Sequence, residues 1–165
     1  MWLFLRPDMP PQLLFDISGI DLDKVVFDQE YVRRHNPQRG DMEQLNGVVY
    51  AAPDRGHIIG YKDVREDEFW CAGHIPGRPL YPGVLMIEAG AQVASFYIRA
   101  FVGWKGFVAF GGVDECKFRS QVVPPCRMYV LGAKIADRHR RITCKVQGLV
   151  KGSLCFEALI TGTEI

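Results

Sequence analysis

Charge of a single sign is missing from this chain. Twenty Lys and Arg stand against 19 Asp and Glu, a formal net charge of +1 over 165 residues. Gripping nucleic acid through bulk charge needs a basic excess, so the balance argues against that class. The five cysteines, Cys71, Cys116, Cys126, Cys144 and Cys155, are odd in number and include no C-x-x-C pair. They read as free, buried thiols of a reducing cytoplasm rather than as disulfides or metal ligands. There is no internal repeat and no low-complexity linker. The start, Met1-Trp2-Leu3-Phe4-Leu5-Arg6-Pro7, lacks a basic leading region, and its apolar run is too short for a secretory signal. Only Val84 to Val102 approaches a membrane-spanning length, and it contains Glu88, Gln92 and Arg99. An arginine alone costs about 2.5–3.5 kcal/mol at a bilayer centre. A buried helix in a cytoplasmic, non-membrane protein is the expectation.

What is present suits one domain spanning 1–165, with 48% hydrophobic and 24% charged residues. Pro7, Pro10 and Pro11 open a leading loop over residues 7 to 20, and Leu22 to Phe27 reads as a strand. Residues 28 to 47 turn polar and basic, with Arg33, Arg34, His35 and Arg39, and read as an exposed excursion. Val48 to Tyr50 and His57 to Val64 read as strands flanking the Pro53-Asp54-Arg55-Gly56 turn. Trp70 to Pro82 is a Gly- and Pro-rich loop, and Pro82-Gly83 starts a helix that ends before Gly103. That helix is apolar except for Glu88, Gln92, Ser95 and Arg99, which fall on one stripe. Five strand-like runs follow: Phe107–Phe110, Cys116–Phe118, Met128–Ile135, Ile142–Val150 and Cys155–Ile160. The last two form a hairpin across Lys151-Gly152-Ser153. The pattern predicts an α+β domain, an antiparallel meander wrapped around one long helix.

The chemistry concentrates between His74 and Gln92. Glu88 lies among Val84, Leu85, Ile87, Ala89 and Ala91, with no Lys or Arg three or four residues away. A desolvated carboxyl without a cation suits a general acid, although helix carboxylates are as often structural. His74 sits where glycines and prolines restrict the backbone, and an imidazole so held suits a general base. His35, His57 and His139 have no such setting. Gly83 falls at the helix N-terminus, where unpaired backbone N–H groups can hold a developing oxyanion. A base, an acid and an oxyanion site together suggest proton abstraction beside a carbonyl with loss of water at the β carbon, or the reverse.

The run Gly73-His74-Ile75-Pro76-Gly77-Arg78-Pro79, then Pro82-Gly83-Val84-Leu85, Glu88-Ala89 and Ala91-Gln92, resembles the signature of the 3-hydroxyacyl-[acyl-carrier-protein] dehydratases of fatty acid synthesis. Phe110-Gly111-Gly112-Val113-Asp114-Glu115-Cys116-Lys117-Phe118-Arg119 and Val122-Val123-Pro124 resemble that family's next strand and turn. The resemblance covers about residues 57 to 162, and more weakly 7 to 27. It implies a hot-dog fold and a homodimer joined sheet edge to sheet edge, in places assembled into hexamers. It implies His74 as base and Glu88 as acid, from opposite subunits. Gly83, with Val84 and Gly112, would bind the thioester carbonyl and substrate, and Gln92 would position Glu88. The partner would be acyl carrier protein, docked first on Lys117 and Arg119 and second on Arg138, Arg140 and Arg141. No cofactor and no metal are implied. The chain departs from the family at Asp8 to Gln12, at Ile75 where a Phe is common, and at Val108 and Ala109 where aromatics often gate the tunnel. Segment 28–56 is longer than the family's equivalent and reads as an insertion. Two other readings compete: a hot-dog thioesterase, which would not need His74, and a non-catalytic acyl-binding subunit, which would need neither His74 nor Glu88.

Overall fold

Residues 12–165 are described by the structure, a computed structural model. Residues 1–11, with most of the Asp8 to Gln12 departure and the start of the leading loop, lie outside the described residues. The described chain runs α1 (Gln29–His35), β1 (Gly47–Ala52), β2 (His57–Val64), α2 (Gly83–Tyr97), β3 (Val108–Phe118), β4 (Cys126–Arg138), β5 (Arg141–Val150) and β6 (Ser153–Glu164). All six strands join one antiparallel sheet in the order β1-β2-β4-β5-β6-β3. The sheet wraps α2, the arrangement expected of a hot-dog fold.

α2 fills the concave side because it offers apolar groups nearly all round. Leu85, Met86, Ala89, Val93, Ala94, Phe96 and Tyr97 are buried against Val130, Ile142, Val146, Phe156 and Ile160 of the sheet. Each large side chain so buried contributes about 1.5–3 kcal/mol. Gly90 permits the close approach, since a Cβ there would stand 2.9 Å from Val146 Cγ2. After Tyr97 the helix widens into a π turn, Ile98–Val102, and stops at Gly103 with a left-handed φ of 82°. The segment Gly83–Val102 is apolar and long enough to cross a membrane, but 61% of its most apolar window is buried inside the protein. The convex face is covered as well. Leu13, Leu14, Phe15, Ile17, Ile20 and Leu22 pack on Val49, Ile59, Leu131 and Leu149. Gln147 ties this strap down, accepting from Leu14 N at 2.9 Å and donating to Gln12 O at 3.0 Å.

Four expectations change. Leu22 to Phe27 is not a strand: only Phe27 pairs, bridging Val48. Asp21 Oδ1 accepts from Asp23 N at 3.0 Å, a local turn that competes with extended pairing. Residues 28 to 47 are not an exposed excursion, because Val32, Asn36, Gln44 and Leu45 are buried while the basic residues face outward. Gly111-Gly112 does not separate two strands. β3 runs through it with a register shift between Phe110 and Gly112. Finally the strands are not a simple meander. α2 carries the chain across the concave face, so β3 starts at the far edge and pairs with β6, while β4, β5 and β6 follow as hairpins.

Candidate active site

The polar stripe of α2 opens onto a cavity of about 130 Å³. Its walls are Glu88, Ala91 and Ala94 on α2, Ile98 in the π turn, Val108 to Phe110 on β3, and Ile160 to Gly162 on β6. Glu88 is half-buried and sits at the wall of this largely apolar space. Its Oε1 accepts from Gln92 Nε2 at 2.7 Å and, more weakly, from Gln38 Nε2 at 3.4 Å. Among the described residues no cation pairs with it. Two neutral amides therefore orient the carboxyl without adding a full charge.

Gln92 is buried and fully used. Besides Glu88, its Nε2 donates to Met42 O at 2.6 Å, and its Oε1 accepts from Gln44 N at 2.9 Å. Asn36 Nδ2 donates to the Gln92 carbonyl at 2.9 Å. The segment read as an exposed excursion is thus the scaffold behind the carboxyl. Gln38 escaped sequence reasoning for that reason. The available signal was the cluster of amides, Asn36, Gln38 and Gln44, within an otherwise charged run.

His74 stands elsewhere, exposed on the loop before α2. Its Nδ1 lies 2.8 Å from Leu80 O, which can only accept, so the hydrogen is on Nδ1 and Nε2 is left free as a base in the neutral ring. Leu80 N returns a bond to His74 O at 2.9 Å, and Tyr81 N bonds Val122 O at 2.9 Å. Beneath the loop lies a buried ion pair that sequence reasoning missed, Lys62 Nζ to Glu68 Oε1 at 2.8 Å. The following turn bonds His74 N to Trp70 O at 2.8 Å, so this pair anchors the loop's base. Tyr81 also sits there, buried against Trp70, and burial holds its hydroxyl protonated far above the ordinary range. That hydroxyl reaches Gln44 Oε1 at 2.8 Å and links the His74 loop to the Gln92 scaffold.

Gly83 opens α2, with no side chain capping that end. The first helical bonds run from Leu85 N and Met86 N to Pro82 O, so the Gly83 and Val84 amides precede them. Val84 is exposed. A Cβ at Gly83 would stand 2.8 Å from the Phe118 ring, so the glycine is demanded by that ring as well as offered to a ligand. Gly112 lies at the β3 bulge and does not line the cavity. The structure therefore brings Glu88 and Gln92 together, sets Gly83 and Val84 at the start of α2, and leaves His74 on the preceding loop, outside the wall around Glu88.

Of the docking candidates, Lys117 is exposed, whereas Arg119 is engaged by Glu157. Burial would raise the Glu157 carboxyl, but hydrogen bonds from Arg119 and Gln147 outweigh it and hold the group below its usual range. Arg138, Arg140 and Arg141 surround the β4–β5 turn with His139. The five cysteines are free, and only Cys144 and Cys155 are buried, their thiols pushed up to about 12 chiefly by that burial.

A FabA-like domain model matches residues 36–158. A 3-hydroxyacyl-[acyl-carrier-protein] dehydratase FabZ of Clostridium botulinum is 48% identical over 67 residues, 40% of this chain and 46% of that protein. The chain thus spans about half the length of the curated relatives it matches. Among solved structures, the dehydratase heterocomplex ApeI:P of Xenorhabdus doucetiae superposes with a TM-score of 0.68 at 12% identity, over 81% of this chain and 90% of that one. A hypothetical thioesterase with coenzyme A from Streptococcus pneumoniae superposes at 0.55 with 8% identity, over 72% and 84%. At such identities these structures attest the hot-dog fold alone. With that domain model covering residues 36–158, most of the chain, this chain belongs to the FabA-like domain family.

Proposed function

We propose that the protein dehydrates 3-hydroxyacyl thioesters on acyl carrier protein to trans-2-enoyl thioesters. The observation that carries this reading is the Glu88 carboxyl, held by Gln92 at 2.7 Å in the wall of an apolar cavity without a cation. Nε2 of His74 removes a proton from the carbon beside the thioester carbonyl. The Gly83 amide, with Val84, receives the charge that develops on the carbonyl oxygen. Glu88 protonates the departing hydroxyl, and water leaves. The acyl chain lies along α2 in the cavity.

His74 and Glu88 do not share a wall within one chain. We therefore take the working unit as a homodimer whose sites combine His74 of one subunit with Glu88 of the other. Support comes from the β3 edge, which has no strand partner beyond it among the described residues and exposes Phe110, Val113 and Phe118. Assembly into hexamers, a cytoplasmic location and segment 28–56 as a family-atypical insertion belong to the same reading.

The test is hydration of trans-2-enoyl thioesters of several lengths, on carrier protein and on coenzyme A, followed by loss of enoyl absorbance. Turnover on at least one carrier is expected, and His74→Ala should abolish it. A thioesterase is the second reading, favoured by a cavity wall that holds a carboxylate without a histidine. Release of free thiol without hydration would establish that reading instead.

A further inference from the structure

Among the described residues, one buried cationic atom lacks a hydrogen-bond partner, Nε of Arg99. Arg99 lies in the π turn that continues α2, in the wall of a second cavity of about 330 Å³. This cavity adjoins the Glu88 cavity across Ser95, Phe107 and Val108, which line both. Its character is different. Arg33, Arg34, Arg39, Arg99 and Lys105 line it, and no carboxylate does. Glu43 neutralises Arg33 at 2.6 Å. Arg34, Arg39, Arg99 and Lys105 have no carboxylate partner among the described residues. Arg99 Nη1 donates to Gly106 O at 2.6 Å and Arg39 Nη1 to Asn36 O at 2.8 Å. Those carbonyls hold the guanidinium groups in place without cancelling their charge. Arg39 and Arg99, held by backbone carbonyls and without a carboxylate partner, leave guanidinium charge on this wall for an oxyanion.

We propose that this basic annex receives a carboxylate at the far end of the acyl chain, so that the preferred substrate is a medium-length thioester ending in a carboxylate rather than a methyl group. The inference rests on the Glu88 cavity being the acyl pocket. Arg99 follows Glu88 by eleven positions, about 16 Å along the axis at about 1.5 Å per residue, with the π turn at its end. An anion at that distance from the reacting carbons could also be the phosphate of a pantetheine arm, and the test separates the two. Segment 28–47 gains a role here, because it supplies Arg34, Asn36 and Arg39.

Hydration is measured for methyl-ended and carboxyl-ended enoyl thioesters of equal length, each on pantetheine and on phosphopantetheine. The carboxyl-ended chain should be preferred in kcat/KM on both carriers. Arg99→Leu should reduce that preference by roughly ten- to a hundredfold, and Lys105→Ala should reduce it less. A preference absent in the wild type, or an Arg99 effect that follows the phosphate, would overturn the proposal. Calorimetric binding of octanoic acid against its methyl ester reads the annex without catalysis. Tighter binding of the acid, lost in Arg99→Leu, supports the annex even if no thioester turns over, in which case only the dehydratase reading falls. Equal binding of acid and ester overturns the annex.

Discussion

The side-chain amide of Gln92 donates to Oε1 of Glu88 at 2.7 Å, one turn away on α2. The same amide group also bonds Met42 O and Gln44 N, so the orientation of Glu88 depends on the docking of segment 36–44. Gln92→Leu would keep the volume but leave buried backbone groups unpaired. It should lower stability by about 2–4 kcal/mol. It should also cut kcat for hydration more than it raises KM. Urea unfolding together with steady-state kinetics checks both, and an unchanged unfolding midpoint would show that these contacts are not made in solution.

His74 is exposed, and among the described residues its ring bonds only the carbonyl of Leu80. His74→Ala should therefore leave the thermal midpoint nearly unchanged while hydration falls by about 10²–10⁴-fold, as expected for loss of a general base. Glu88→Gln keeps the shape and should fall as far. Either variant retaining more than about a tenth of wild-type kcat would remove its residue from the mechanism.

Separation of His74 from the Glu88 cavity makes subunit mixing decisive. His74→Ala and Glu88→Gln chains should each be inactive alone. Allowed to exchange, about half the dimers become mixed, and each mixed dimer holds one intact site, so about a quarter of wild-type activity should return. Confirmed exchange with activity still at background would eliminate the composite site while leaving both residues' chemistry open.

Lys117 and Arg119 should behave differently on charge reversal. Lys117 is exposed beside Glu115 and Lys145. Lys117→Glu should raise KM for carrier-bound substrate without lowering stability. Arg119→Glu breaks the bond to Glu157 and places two carboxylates together, so it should also destabilise the fold. If Lys117→Glu affects a short pantetheine thioester equally, Lys117 does not dock the carrier protein.

His57 couples the leading strap to pH. Phe15 stacks on its ring at 4.1 Å, and burial, then repulsion from Arg55, lowers its pKa from 6.5. Between that lowered value and 6.5 the unfolded chain binds more protons. The stacking contribution is therefore fully present above 6.5 and is lost as pH falls through the folded-state value. Thermal midpoints measured from about pH 7.5 down to about pH 5 should fall more steeply in the wild type than in His57→Gln. Parallel slopes would show that His57 is not the coupled group.

Local signals in the chain determined much of this protein. The apolar run from Val84, closed by Gly103, specified the core helix, because side chains apolar all round can be buried on every side. Glycines and prolines around His74 specified its loop, and Glu88 and Gln92 were placed on one face by helical period alone. The hairpin at Lys151-Gly152 followed from turn chemistry. Pairing between distant segments was decided only by tertiary structure. The position of β3 beside β6 depends on where α2 delivers the chain, which no local pattern encodes. The inward anchoring of residues 28 to 47 was hidden because most of the segment stays exposed while Val32, Asn36, Gln44 and Leu45 turn in. For the same reason Gln38 met Glu88, and Arg34, Arg39, Arg99 and Lys105 met around one cavity, only after folding. Composition records a near-neutral chain, but folding decides which charges are left without a partner, and that is a matter of three-dimensional distance rather than of sequence.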